Sequence, residues 1–102
     1  MRDKLEKLIA AYEELEKRMV DPTVVSDPKE YARIAKEHAS QAELVAKARE
    51  YVGALDDIEV AKEMQRETSD ASEKEMLQED IGANEAKLPA LEDEIKVMLI
   101  PG

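Results

Sequence analysis

The chain has 102 residues and a formal net charge of −10, from 15 Lys and Arg against 25 Asp and Glu. It holds no Cys and a single His, which excludes a disulfide framework, a thiol nucleophile, a Cys-bound zinc and a multi-His metal centre. Ala, Glu, Lys, Leu and Arg supply 55 of the residues and there is no Phe or Trp, a composition of long helices or coiled coils rather than of a large globular core.

The first predicted helix runs from about residue 2 to 20. Leu5, Leu8, Ile9, Tyr12, Leu15 and Met19 recur at steps of three and four, which places them on one face. Glu6, Glu13, Glu14, Lys17 and Arg18 take the other side. Asp21-Pro22 ends the element, because proline disfavours helical geometry in the residue before it. The β-branched run Thr23-Val24-Val25 then reads as a short extended connection.

A second helix is expected from about residue 28 to 66. Asp27 is its cap, Pro28 suits the first helical position, and Glu30 stands where a capping box places it. At 1.5 Å per residue this element is about 58 Å long. Its main stripe is Tyr31, Ile34, His38, Ala42, Val45, Ala48, Val52, Leu55 and Ile58. A second row, Ala35, Ala39, Ala42 and Ala46, is expected to widen the apolar face. Gly53 inside this helix costs about 1 kcal/mol relative to Ala.

Thr68 to Ser72 is the second break. Ser72 with Glu75 has capping-box spacing, and Asp70 with Glu73 offers the same two residues earlier. The third helix, from about residue 73 to 99, carries Leu77, Ile81, Asn84, Leu88, Leu91, Ile95 and Met98 at alternating steps of four and three. That is a coiled-coil seam, with Asn84 as a polar entry that fixes register. Pro89 removes one hydrogen bond to Glu85 and predicts a kink.

Short loops make neighbouring helices antiparallel. The expected fold is therefore all-α: an elongated antiparallel three-helix coiled-coil-like arrangement within a single domain spanning residues 1–102. One long central helix carries the two shorter ones, the first along residues 28 to 46 and the third along residues 66 to 40.

Chemistry is sparse. Carboxylate pairs at helical spacing, such as Glu13 with Glu16, Asp56 with Glu59, and Glu92 with Asp93, read as solvated faces in so acidic a chain. His38 on the main stripe reads as a partly buried seam residue, with a pH-sensitive contact as the functional alternative. Met19, Met64, Met76 and Met98 read as core filling, with a partner groove as the alternative. Ser69 and Ser72 read as caps, and no phosphate-cradling glycine loop exists. No catalytic, cofactor-binding or metal-binding residue is assigned, and no cofactor is expected. The pI near 4.6 argues against direct nucleic-acid binding. No apolar run approaches the roughly 20 residues of a membrane span. Met1-Arg2-Asp3-Lys4 lacks the apolar segment of a signal peptide, so the expected location is the cytoplasm. Periodicity alone supports a helical interaction module, and the alternative to the assignment below is a stand-alone helical coiled-coil adaptor or scaffold.

The order of segments carries more. After the opening helix comes Arg18-Met19-Val20-Asp21-Pro22-Thr23-Val24-Val25-Ser26-Asp27-Pro28-Lys29-Glu30-Tyr31. Ile34-Ala35-Lys36-Glu37-His38 and Ala48-Arg49-Glu50-Tyr51 follow, and Val97-Met98-Leu99-Ile100-Pro101 closes the run. This resembles the N-terminal helical domain of bacterial class I peptide chain release factors, over essentially all 102 residues. The branch reading UGA and UAA typically has a Trp where Val25 stands and a longer N-terminal lead. The sequence is thus more similar to the release factor one type, which reads UAG and UAA.

The resemblance implies the N-terminal fragment of a longer protein. The family's codon-reading loop and its Gly-Gly-Gln loop lie downstream of this region, so no residue here takes over either role. It also implies a monomeric accessory arm facing the stalk base of the ribosome and associated with the class II release-factor GTPase. Two positions depart from the family pattern: Gly102 stands where Lys-Asp-Pro usually continues, and Pro89 interrupts a helix.

Overall fold

A computed structural model describes residues 1–101. These residues form four helices and no strand: α1 (Arg2–Met19), α2 (Pro22–Val25), α3 (Pro28–Glu67) and α4 (Ala71–Met98). The fold is all-α, with the long helix α3 packed against the others. The contacts divide it into two compact units, Met1–Arg49 and Glu50–Gly102, so α3 contributes its first part to one and the rest to the other.

In the first unit α1 runs antiparallel to α3. Ion pairs join Arg18 to Glu30 and Glu13 to Arg49, and Glu16 lies 3.3 Å from His38 Nε2, so the α3 number rises as the α1 number falls. Leu5 and Tyr12 on α1 and Ile34, Val45 and Ala48 on α3 are buried. The expected second row fails here: Ala39, Ala42 and Ala46 are exposed. The seam instead passes through Ile34, His38, Gln41, Val45 and Ala48, at steps of four, three, four and three. Ala42 therefore lies about 100° around the helix from Gln41.

The segment after α1 is helical rather than extended. Asp21 caps it by accepting from the Thr23 backbone N–H at 2.9 Å, and Pro22 occupies the first helical position. Asp-Pro is a start signal here as well as a stop. With both in place the β-branched residues 23–25 still form one turn, and Val24 anchors it at 8% exposure. Asp27 caps α3 as expected, through the Glu30 N–H at 3.2 Å. The reciprocal half of the capping box is absent, because the Asp27 N–H donates to the Val24 carbonyl. The Glu30 carboxylate instead accepts from Arg18 and Arg33.

In the second unit α4 returns antiparallel to α3: Gln65 reaches Lys74 and Gln78, while Tyr51 reaches Glu92. Ile58, Ala61, Leu77 and Ile81 form a core cluster with Leu88 against it, and Leu91 and Ile95 are buried further along. Asp70 is the cap of α4, accepting from the N–H groups of Ser72 and Glu73. Ser72 thus lies inside the helix rather than capping it. Thr68 Oγ1 completes the start, accepting from the Asp70 N–H and donating to Glu73. The helix continues on both sides of Pro89, which is exposed.

Candidate functional site

Between the end of α3 and the start of α4 lies a recess of the second unit. It is an open groove of about 400 Å³ lined by Asp57, Val60, Ala61, Met64, Leu77, Asp80 and Asn84. The spacing explains it. On α3 residues 57, 60, 61 and 64 share one face over two turns, as do 77, 80 and 84 on α4. Ala61 and Leu77 form a buried floor, while Val60 is 59% and Met64 43% exposed. A short alanine at the floor keeps the groove open. Met64 continues into a second recess with Glu67, Thr68 and Glu73.

Charge concentrates at this hairpin. Between Asp56 and Glu85 stand eleven acidic residues against Lys62, Arg66 and Lys74, which makes −8 of the total −10. Arg66 is already bonded to Glu63; its guanidinium holds the Glu63 carboxyl below the usual carboxylate range. Exposed apolar walls thus stand within a strongly negative surface, which attracts cations.

The residues singled out from sequence fall in separate places. In the first unit the His38 imidazole stacks on the Tyr12 ring and its Nε2 lies 3.3 Å from Glu16. Arg49 lies over the other ring partner, 5.7 Å from the Tyr12 centroid. Glu92 accepts from the Tyr51 hydroxyl at 2.9 Å, a bond between α3 and α4. Burial, then that bond, pushes the Tyr51 hydroxyl above its ordinary pKa.

The methionines divide. Met19 and Met98 are half-buried, whereas Met64 and Met76 are exposed, so the core-filling assignment does not hold for the latter two. Asn84 is half-buried and donates to the Asp80 carbonyl one turn earlier at 3.1 Å. It also lines the groove. Val60 was not marked by the periodicity. The available signal was its position off the main stripe, four residues before Met64.

Among the described residues there is no group of three or more His, Cys, Asp or Glu placed to hold a metal ion. No described helix is long and apolar enough to cross a membrane.

Against known proteins, the PCRF domain family matches residues 8–102. Peptide chain release factor 1 of Bacteroides thetaiotaomicron is 39% identical over 99 residues, covering 97% of this chain and 27% of that protein. The protein of the same name from Clostridium acetobutylicum is 39% identical over 101 residues, covering 99% and 28%. That from Lactobacillus gasseri is 41% identical over 97 residues, covering 95% and 27%. The chain thus spans little more than a quarter of the length of these relatives. No solved structure matches it. With the match extending across both helical units, the chain belongs to the PCRF domain family, together with these release factors.

Proposed function

We propose that the chain is the N-terminal helical accessory domain of a class I peptide chain release factor of the release factor one type. The whole protein directs translation termination at UAG and UAA on the ribosome in the cytoplasm. The observation that carries this is the 39% identity over 97% of the chain to a peptide chain release factor 1. Codon reading and peptidyl-tRNA hydrolysis belong to other parts of the whole protein. This domain is a non-catalytic, monomeric arm that addresses the stalk-base region and the class II GTPase. The acidic helical hairpin, with Val60 and Met64 exposed on it, supports a role in protein contact.

A peptide-release assay on ribosomes programmed with each stop codon tests this. The whole protein is expected to free peptide at UAG and UAA but not at UGA, and this chain alone is expected to free none. Removal of residues 1–102 should leave codon choice intact and diminish the response to the GTPase. Release by the isolated chain would overturn the non-catalytic assignment. Efficient release at UGA would overturn the codon assignment.

A further inference from the structure

We propose that the groove between α3 and α4 in the second unit binds a basic amphipathic α-helix of a partner protein. The groove's charge and shape support this independently of the release-factor reading.

Shape points to a helix. The lining residues 57, 60, 61 and 64 on α3 and 77, 80 and 84 on α4 extend over two turns each, about 10 Å. Two antiparallel helices side by side present a trough that accepts the ridge of a third. Strand addition has no template, since the hairpin consists of helices whose backbone groups bond internally. Val60 and Met64 are exposed walls above a floor of Ala61 and Leu77. The unbranched thioether of Met64 adapts to side chains of different shape.

Charge decides the class of partner. The segment from Asp56 to Glu85 carries net −8, while the remaining residues together carry −2. Asp57 and Asp80 line the groove itself. A nucleic acid is repelled by this surface. A second copy is disfavoured too, because it brings the same acidic hairpin. Its most regular amphipathic helix, α1, has five Lys and Arg against five Asp and Glu, and the apolar face of α1 is occupied in its own unit. A protein helix with leucine-like residues on one face and Lys or Arg beside them satisfies both floor and rim.

The test uses the 102-residue chain and three synthetic peptides. The first is a helical Leu/Lys peptide with one apolar face. The second has the same composition with the leucines dispersed around the helix, and the third has Glu in place of Lys. Binding is followed by fluorescence anisotropy and by the methyl signals of carbon-13-labelled methionine. The amphipathic Leu/Lys peptide should bind and shift the Met64 methyl while Met19 stays still. Val60→Asp and Met64→Asp should each weaken binding about tenfold or more. These changes add negative charge, so a purely electrostatic encounter would strengthen instead. Both positions are exposed, and unchanged helical circular dichroism verifies that the variants are folded. Equal binding of the dispersed or the Glu peptide, no binding of the first, indifference to both substitutions, or dimerisation of the chain through this face in sedimentation would each overturn the proposal. None of these outcomes bears on stop-codon release, which the assay above reads separately.

Discussion

The Tyr12 ring and the His38 imidazole lie stacked across the α1–α3 contact, with centroids 4.2 Å apart and planes inclined by 19°. Tyr12 is only 9% exposed, so the stack lies at the edge of the first unit's core. A flat imidazole covers the tyrosine face, and Glu16 orients the imidazole from the same helix that carries Tyr12. Truncating Tyr12→Ala should cost about 3 kcal/mol, the usual loss for a buried aromatic ring. His38→Ala should cost about 1 kcal/mol. Urea unfolding of both single variants and the double variant should give a coupling of about 0.5–1.5 kcal/mol. Additive losses would mean that the rings merely lie near one another.

The short helix α2 ties acid sensitivity to the connection before α3. The Thr23 hydroxyl, and then the Thr23 N–H, hold the Asp21 carboxyl below the usual carboxylate range, with Arg18 adding a smaller attraction. Glu30 is lowered in the same sense, first by its bond to Arg33. A carboxyl whose folded pKa is depressed stabilises the fold fully above its unfolded value. That contribution disappears as pH falls through the folded value. Stability of the chain is therefore expected to decline below about pH 4–5. Asp21→Asn keeps a capping oxygen but removes the charge, so it should flatten the acid limb while leaving the neutral-pH midpoint closer to wild type than Asp21→Ala does. Chemical unfolding across pH checks both, and identical acid limbs in all three proteins would refute the role of Asp21.

Tyr51 links the halves of the hairpin in the opposite direction of pH. Its hydroxyl donates to Glu92 from a side chain that is 7% exposed, and burial is the main reason its pKa is raised. A raised folded pKa gives a contribution that is complete below the ordinary tyrosine value near 10. It is lost as pH rises through the folded value. Tyr51→Phe should cost about 1 kcal/mol at neutral pH, since the half-exposed Glu92 carboxylate regains water. The same change should remove part of the alkaline loss of stability. Ultraviolet titration of tyrosinate provides the second readout: an ionisation above the ordinary tyrosine range should be present in wild type and vanish in the variant.

Much of this was legible in the sequence because helical burial follows a fixed period. In α4 the expected seam residues Leu77, Ile81, Leu91 and Ile95 are buried and Leu88 and Met98 half-buried. On α3 Ile34, Val45, Ala48 and Ile58 are buried, but Tyr51 and Ala54 are more deeply placed than Val52 and Leu55. Hydrophobicity alone could not choose between such neighbours, since the choice depends on which helix lies alongside. Gln41 rather than Ala42 faces the seam, and an amide is a poor marker of one. The helical turn at 22–25 was hidden because β propensity and capping chemistry pointed in opposite directions. The groove was harder still. Its evidence was a pair of exposed apolar residues, Val60 and Met64, and exposure is a property of the packed hairpin rather than of the residues.

Two glycines and one proline inside the long helices make the final prediction. Gly53 and Gly82 are helical, and a methyl group added at either would meet no atom within 4 Å. Neither has a positive φ, so no backbone conformation is being preserved. Alanine at each position should then stabilise the chain by about 0.5–1 kcal/mol, through the lower entropy of the unfolded chain and better helix propensity. Pro89 is exposed and lacks the N–H that would bond to Glu85, so Pro89→Ala should add about 2 kcal/mol. That gain is less than the full helix-interior cost because proline also stiffens the unfolded chain. All three sites lie in the second unit, whereas thermal unfolding reads the chain as a whole. A higher midpoint for each variant, with additive gains for the Gly53→Ala, Gly82→Ala pair, is the expected result. Loss of stability at Gly53 would show that the space beside it is filled in solution, and loss at Pro89 that the stiffness of proline in the unfolded chain outweighs its cost in the helix.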